Sequence, residues 1–388
     1  MQETHICLNM IVRNEAKNIK RLLNSVKDSI DYYVICDTGS TDDTPKIIEE
    51  TMQEYGIPGE IHYHDWKNFG HNRTLALYAA TLALFEKRHN CDRVLVIDAD
   101  EKLEVTDPLW YERLDRERTY EIMKKDGIMT YPVPHLINIK HETHVWKGPA
   151  HNYVYKVNAR PSLLPPKGVA IIRDSSTLGG KSSRFKTTKE KYLYDASLFE
   201  AELKKNPTDA RSQFYLAQSY KDAKEYDKAI EHYLKRANMQ NTWEQERYVS
   251  FFNTGLLYEV NKDIKNAIDA YTQAFNLIPS RAEAPTRLGD LLRGVGNLKK
   301  SSDIAQRALA ELKVTDKELF RIDYYYDWGL LNCAFSTAFL LKDYEKAEIY
   351  INKLVELINN KEVKESVSKK IINNKKALDK ILKLKNEA

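Results

Sequence analysis

Three acidic residues follow directly on an apolar run and could bind a metal ion. Residues 94–97 are Val-Leu-Val-Ile, and Asp98, Asp100 and Glu101 come immediately after them. Such a run is typical of a buried parallel strand, and ligands of open α/β sheets bind beyond the carboxyl ends of these strands. Carboxylates there can hold Mg²⁺ or Mn²⁺ and, through the cation, a diphosphate. A solvated turn after a strand is the alternative interpretation.

The first half of the chain alternates between strand and helix patterns that would position these acids. The expected strands and helices, in chain order, cover residues 6–12, 16–26, 32–36, 45–55, 60–64, 68–88 and 93–97. This alternation predicts a mostly parallel α/β sheet with helices on both faces. Asp37 ends the second strand and should meet Asp98 and Asp100 in one crevice. Asp37 could accept the imide N–H of a uracil ring or form an Asx turn, and Arg73 could reach a phosphate or lie in solvent.

Three segments carry a family resemblance. Residues 9–15 (Asn-Met-Ile-Val-Arg-Asn-Glu), residues 37–44 (Asp-Thr-Gly-Ser-Thr-Asp-Asp-Thr) and residues 98–101 (Asp-Ala-Asp-Glu) follow one another over about a hundred positions. Their sequences, order and spacing resemble the motifs of family 2 glycosyltransferases with the Rossmann-like GT-A fold. The resemblance implies an inverting hexosyltransferase that uses a nucleotide-linked sugar, usually a UDP-sugar, with Mn²⁺ or Mg²⁺ as cofactor.

The same resemblance implies roles for individual residues. Asp37 would contact the base, Asp98 the ribose or the metal, and Asp100 the metal and the diphosphate. The remaining nucleotide-sugar-binding residues that it implies are Val12, Asn14, Glu15, Ser40, Arg73 and Ala99.

Residues 146–151 resemble the "aromatic-x-Gly-x-x-His-Glu" segment of that family, in which the His lies near the diphosphate and the Glu near the acceptor. Asn152 stands where the Glu is expected, and an amide cannot take a proton as a carboxylate does. Glu101, Glu142 and His151 are therefore all candidate bases, with His151 and Glu101 preferred and His151 also a candidate metal ligand.

Arg173, followed by Asp174, occupies the place of a further family His near the metal. The guanidinium of Arg173 can neutralise phosphate but cannot bind a cation, whereas Asp174 could serve as a metal ligand. The basic segment 181–184 after Gly179 and Gly180 could close over the diphosphate or serve as a linker. Residues 102–130 are charged, and we expect most of them to be helical, whereas we expect residues 127–134 to form a strand.

The second half of the chain has a different pattern. Helical spacing persists from residue 187, and Ala229, Ala267, Ala305 and Ala347 recur at intervals of 38, 38 and 42 residues in similar contexts. This periodicity resembles tetratricopeptide (TPR) repeats, whose helix pairs stack with small residues at their crossings. We predict a GT-A domain over residues 1–186 and an all-α TPR-like domain over residues 187–388. The latter would contain four helix pairs and a capping helix at residues 361–386.

Composition limits the remaining possibilities. The net charge of +4 on 388 residues indicates no broad nucleic-acid surface. The four cysteines are scattered, and the N-terminus lacks signal-peptide character, so we expect a cytoplasmic protein without a transmembrane segment. Expected partners are a UDP-sugar, a protein, peptide or glycan acceptor, and a second copy of the chain through the helical repeats. An alternative function is a catalytically impaired domain that serves as a nucleotide-sugar-binding or protein-interaction scaffold.

Overall fold

A computed structural model describes most of the chain. The described residues are 5–86, 91–112, 114–115, 117–126, 129–158, 160–173, 185–315, 318–360 and 365–386. The chain divides into two compact units, Met1–Glu202 (unit 1) and Leu203–Ala388 (unit 2). Asp174 and the basic segment 181–184 lie outside the described residues. The domain boundary expected at residue 186 stays a prediction.

An eight-stranded sheet forms the centre of unit 1. The strands of the unit are β1 Ile6–Val12, β2 Tyr32–Asp37, β3 Gly59–Tyr63, β4 Arg93–Val96, β5 Glu101–Val105, β6 Tyr120–Asp126, β7 Met129–Asn138, β8 Thr143–Lys147, β9 Tyr153–Asn158 and β10 Val169–Arg173. Their order in the main sheet is β3-β2-β1-β4-β7-β6-β10-β5, and β8 pairs with β9 separately. Strands β3, β2, β1 and β4 run parallel, as do β6 and β10, while β7 and β5 run antiparallel to their neighbours. The predicted mostly parallel α/β fold is confirmed.

Helices cover both faces of this sheet. They are α1 Ile19–Val26, α2 Thr44–Tyr55 and α3 Phe69–Glu86, and α4 Thr188–Lys205 follows the last strand. Helices α1 and α2 share one apolar core with the sheet, and α3 packs in a second core on the other face. Val12 lies opposite Asp37 in the β1–β2 pairing, while Asn9 lies opposite Val96 in the β1–β4 pairing. The carboxyl ends of these strands therefore share one edge of the sheet.

The helical expectation for residues 102–130 was wrong. This stretch contains β5 and β6, whereas β7, which begins at Met129, confirms the strand expected at residues 127–134. On β6, Tyr120, Ile122 and Lys124 point inward at alternate positions, and Lys124 is buried although it is charged. A lysine on the buried face breaks the apolar–polar alternation that would have indicated a strand.

Unit 2 is built of helices in its described part. They are α5 Ala210–Asp222, α6 Tyr226–Asn238, α7 Glu244–Val260, α8 Ile264–Leu277, α9 Glu283–Gly294, α10 Leu298–Glu311, a π-helical turn Tyr325–Gly329, α11 Leu330–Leu340, α12 Tyr344–Asn360 and α13 Glu365–Asn386. The pairs α5–α6, α7–α8, α9–α10 and α11–α12 pack successively, and α13 packs on α12. The repeated alanines Ala229, Ala267, Ala305 and Ala347 are all at most 1% exposed. The predicted succession of four helix pairs is therefore confirmed.

No helix within the described ranges is both long enough and apolar enough to span a membrane. Cys7, Cys36, Cys91 and Cys333 are free thiols buried in the two units. Burial raises the pKa of the Cys36 and Cys91 thiols to about 12, so both stay protonated and act as small apolar side chains.

Candidate functional site

Asp98, Asp100 and Glu101, here called the acid cluster, lie just beyond β4. One carboxylate oxygen from each residue lies within 4.8 Å of the others. Glu101 is only 1% exposed, forms an ion pair with Lys124 and accepts the backbone N–H of Asp98 at 2.9 Å. Asp98 and Asp100 remain partly open to solvent. Glu101 therefore fixes the turn, and the two aspartates present their oxygens outward.

Arg73 on α3 contacts the first of these aspartates. Its Nη2 donates to Asp98 Oδ1 at 2.5 Å, and its guanidinium lies over the Trp146 ring, 4.9 Å from the centroid. Arg73 Nε is buried without a hydrogen-bond partner in the described structure. Burial alone would raise the pKa of Asp98, but the positive charges of Arg73 and Lys124 outweigh burial. The pKa of Asp98 is therefore lowered, and its carboxylate stays charged. One donor of Arg73 thus remains available to an anion.

His135 and Lys124 complete the inner side of the cluster, and the sequence analysis assigned neither to the site. His135 packs edge-to-face on Trp146 with centroids 5.8 Å apart. Burial and the neighbouring Lys124 and Arg73 lower the pKa of His135 to about 3, so its imidazole is neutral. Burial acts to lower the pKa of Lys124, but Glu101 and Asp98 outweigh burial and keep it charged. Because Lys124 is followed by Lys125 and Asp126, the local pattern did not indicate that its side chain would be buried.

Arg173 approaches the cluster from β10. Its Nη2 lies 3.6 Å from Asp100 Oδ2, and its Nη1 lies 3.4 Å from Asp126 Oδ2. Burial and the nearby Asp98 raise the pKa of Asp100, and Arg173 acts in the opposite direction. The position where the family resemblance expected a histidine therefore supplies a cation that faces a candidate metal ligand.

Asp37, at the end of β2, is 2% exposed and has one carboxylate oxygen without a partner. Its Oδ1 accepts the backbone N–H groups of Gly39 and Ser40, each at 2.8 Å. Its Oδ2 is buried and makes no hydrogen bond to any described residue. Gly39 adopts φ +98°, a conformation that suits glycine and lets the loop fold back over the carboxylate. A buried unpaired acceptor suits a ligand that brings an N–H group.

The loops after β1 and β2 are tied together next to Asp37. The Asn14 backbone N–H donates to Ser40 Oγ at 3.0 Å, and Asn14 Oδ1 accepts the Thr41 N–H at 2.7 Å. The Glu15 N–H donates to Thr44 Oγ1 at 2.7 Å. Val12 is buried at the end of β1, and Ala99 is buried between the two aspartates. The predicted nucleotide-sugar-binding residues therefore form two groups, one around Asp37 and one at the acid cluster.

His151 lies in the turn between β8 and β9, which α3 holds in place. The Gly70 and Phe69 N–H groups donate to Gly148 O and Pro149 O at 3.1 and 3.2 Å. His151 has φ +44°, is exposed, and stacks on Phe199 of α4 with centroids 6.3 Å apart. Among the described residues, the grouping of possible metal ligands includes Glu101 but not His151. Glu142 is buried elsewhere, beside His144.

The donor set fits a hard divalent cation. Asp98 and Asp100 offer close, partly exposed carboxylate oxygens, which Mg²⁺ and Mn²⁺ prefer over nitrogen or sulfur. Glu101 is already held by Lys124 and the Asp98 N–H. The two aspartates would therefore hold the ion, and phosphate oxygens or water would complete its coordination.

Comparison with known proteins agrees with this geometry. Residues 7–116 match the family model for glycosyl transferase family 2. This stretch includes the loop after β1, Asp37, Arg73 and the acid cluster, and it confirms the family resemblance there. The match supports a glycosyl transfer function for unit 1.

Two curated relatives match over shorter stretches. SPbeta prophage-derived glycosyltransferase SunS of Bacillus subtilis (strain 168) is 42% identical over 77 residues, which is 20% of this chain and 17% of the relative. A TPR repeat-containing protein of Synechococcus elongatus is 38% identical over 104 residues, which is 26% of this chain and 22% of the relative. These matches span only about a fifth of each relative's length. Among solved structures, MamA has a TM-score of 0.36 at 17% identity, over 47% of this chain and 97% of MamA.

Proposed function

We propose that unit 1 is a metal-dependent, inverting glycosyltransferase that moves a sugar from a UDP-linked donor to an acceptor nucleophile. The main support is the pairing of two features at one edge of the sheet. Asp37 presents a buried unpaired acceptor at the end of β2, and the acid cluster with its arginines lies beyond β4. A base-binding group and a diphosphate-binding group at neighbouring strand ends suit a nucleotide-linked substrate.

The donor would bind through both groups. Asp37 Oδ2 accepts the imide N–H of uracil, and Arg73 Nε donates to a phosphate oxygen. Asp98 and Asp100 would hold Mn²⁺ or Mg²⁺, which would supply positive charge near the departing diphosphate. Glu101 acts as a positioning residue, because its carboxylate is buried and bound to Lys124.

We assign the base to His151, which is exposed on a turn anchored at the start of α3. The acceptor nucleophile attacks the anomeric carbon and gives its proton to His151. The bond from that carbon to the diphosphate oxygen breaks, and UDP leaves with the bonding electrons. Attack from the side opposite the leaving group inverts the configuration at the anomeric carbon.

Unit 2 would bind the acceptor or a second copy of the chain. Stacked helix pairs of this kind present extended surfaces that suit peptides and proteins. We therefore propose that a protein, peptide or glycan acceptor is recruited through the helical repeats, and that the protein works in the cytoplasm.

A donor screen tests this function. UDP release is measured for a panel of UDP-sugars with Mn²⁺ or Mg²⁺ and after chelation, followed by mass spectrometry of candidate acceptors. Asp100→Asn should lower turnover by about a thousandfold, because several kcal/mol of charge stabilisation depends on the ion that it holds. Asp28→Asn, at an exposed carboxylate of the same unit, is the matched control and should retain activity. Absence of metal-assisted UDP binding by the unmodified protein would instead favour the scaffold alternative.

A further inference from the structure

Arg173 lies at the end of β10 between strands that carry acidic residues on both sides. In the sheet register it is opposite Glu101 on β5 and opposite Asp126 on β6. Its backbone is therefore fixed by strand pairing on two sides, while its side chain is 43% exposed. This combination leaves the guanidinium able to change partners while its Cα stays in place.

The guanidinium makes long rather than tight contacts with its carboxylates. The distances of 3.6 Å to Asp100 and 3.4 Å to Asp126 exceed the usual 2.7–2.9 Å of a charge-assisted hydrogen bond. A half-exposed ion pair of this kind contributes little to stability, so exchanging one partner costs little. Arg173 thus neutralises Asp100 without being locked to it.

The charge balance gives this exchange a direction. The acid cluster and Asp126 together contribute four carboxylates. Among the described residues, Arg73, Lys124 and Arg173 form ion pairs with them. A diphosphate adds two negative charges, so it binds well only if a cation enters and if an arginine turns toward the phosphates.

We propose that Arg173 exchanges Asp100 for the donor diphosphate. In the free protein Arg173 pairs with Asp100; when a divalent cation takes that carboxylate, Arg173 turns its N–H groups to the phosphate oxygens while Asp126 keeps it near. This role rests on the proposed function and adds a counter-ion for the leaving group. It also makes Arg173 a competitor of the metal ion for Asp100 in the absence of donor.

The proposal predicts that Arg173→Gln weakens the binding of UDP and strengthens the binding of Mn²⁺. For Arg173→Gln, UDP should bind in the presence of Mn²⁺ roughly tenfold more weakly, the size expected for a lost charge-assisted hydrogen bond. Mn²⁺ alone should bind about threefold or more tightly, because the competing cation at Asp100 is gone. Mn²⁺ binding is measured from the electron paramagnetic resonance signal of the free ion, and UDP binding by calorimetry.

Two further variants separate the guanidinium from charge alone. Lys125→Gln removes the same charge from the adjacent strand β6, where Lys125 pairs with Glu104, and should change neither affinity beyond measurement error. Arg173→Lys keeps the charge but loses the planar pair of donors, so Mn²⁺ affinity should stay near that of the unmodified protein while UDP affinity falls. Thermal unfolding of each variant checks that the fold is retained.

The outcomes distinguish this inference from the proposed function. If the unmodified protein binds no UDP with Mn²⁺, the proposed function fails, and the Mn²⁺ titration still reports on the competition at Asp100. If the unmodified protein binds UDP and Arg173→Gln binds UDP and Mn²⁺ with unchanged affinities, the exchange by Arg173 is refuted. Parallel losses of both affinities in Arg173→Gln would also refute it, because they indicate that Arg173 only supports the site's structure.

Discussion

Ion pairs in unit 2 and ion pairs around the acid cluster of unit 1 differ in how completely their polar atoms are satisfied. In unit 2, Arg281 and Glu283 are 2% and 1% exposed and are joined by two hydrogen bonds of 3.2 and 2.7 Å. Gln245 and the Leu319 carbonyl accept further hydrogen bonds from Arg281, and the Tyr326 hydroxyl donates to Glu283. No buried nitrogen or oxygen of the Arg281 and Glu283 side chains lacks a hydrogen-bond partner in the described structure.

Two ion pairs at the acid cluster, Arg73–Asp98 and Arg173–Asp100, are more open. Asp98 retains 34% exposure of its side chain beside Arg73, and Arg173 retains 43% beside Asp100. Arg73 Nε and Asp37 Oδ2 are buried without partners among the described residues. Unsatisfied and half-exposed groups of this kind are costly for stability and are typical of sites that bind a ligand. We therefore expect the closed pair to contribute to the stability of the fold and the open ones to be available to a ligand.

The largest effect that tests this comparison concerns the closed pair. Glu283→Ala leaves the Arg281 guanidinium buried without its carboxylate, and we expect unit 2 to lose about 3–5 kcal/mol of unfolding free energy. Urea unfolding, followed by tyrosine and tryptophan fluorescence and by circular dichroism, measures the loss and separates the transitions of the two units.

An exposed pair in the same unit provides the control. Arg307 and Glu311 form an i,i+4 pair with side chains 44% and 40% exposed. Glu311→Ala should cost at most about 1 kcal/mol. Equal costs for Glu283→Ala and Glu311→Ala would mean that the closed and open pairs are energetically alike.

The sequence predicts the strand ends more readily than the partners of their side chains. A continuous apolar run before Asp98 and the alternation of strands with helices were enough to place Asp37, Asp98 and Asp100 at one edge. Likewise, the recurring alanines predicted the helix pairs, and each of them is buried. These features depend on local pattern and period.

The partners depend on contacts between residues far apart in the chain. Lys124 meets Glu101 only because β6, β10 and β5 lie side by side, and the charged β6 pattern did not indicate a strand. His135 reaches Asp98 and Trp146 through the antiparallel strand β7. Likewise, Arg281 donates a hydrogen bond to Gln245, which lies in α7. Local pattern carries no information on such pairings.

An intermediate effect is expected at the unpaired acceptor of unit 1. Asp37→Asn can keep Oδ1 for the Gly39 and Ser40 N–H groups but places an NH₂ group where the uracil N–H would come. UDP affinity should fall by roughly 10- to 100-fold, because the NH₂ group of the new asparagine and the uracil N–H are both donors and would face each other in a buried position. Calorimetry with UDP and CDP measures the change.

CDP makes this prediction sharper. Cytosine offers an acceptor at the ring nitrogen where uracil offers a donor, so Asp37→Asn should narrow the preference for UDP over CDP. Asp43→Asn, at an exposed position of the same loop, should leave both affinities unchanged. An unaltered UDP-to-CDP ratio in Asp37→Asn would show that Oδ2 does not contact the base.

The smallest effect concerns a buried imidazole of unit 1 that lies outside the acid cluster. His144 is 3% exposed; its Nε2 lies 3.5 Å from Thr119 Oγ1 and 3.8 Å from Glu142 Oε2. Burial lowers the pKa of His144, although Glu142 acts against burial. The unfolded chain therefore binds a proton at His144 that the folded protein does not, and stability falls as the pH drops below about 6.5.

Replacing this imidazole should flatten the acid side of the stability profile. In His144→Gln, unit 1 should lose less unfolding free energy between pH 6.5 and 5 than the unmodified protein, by up to about 1.4 kcal/mol per pH unit. Urea titrations at several pH values measure the slope, and His141→Gln at an exposed position should leave it unchanged. If His144→Gln retained the full slope, His144 would titrate in the folded protein as it does in the unfolded chain, and burial would not lower its pKa.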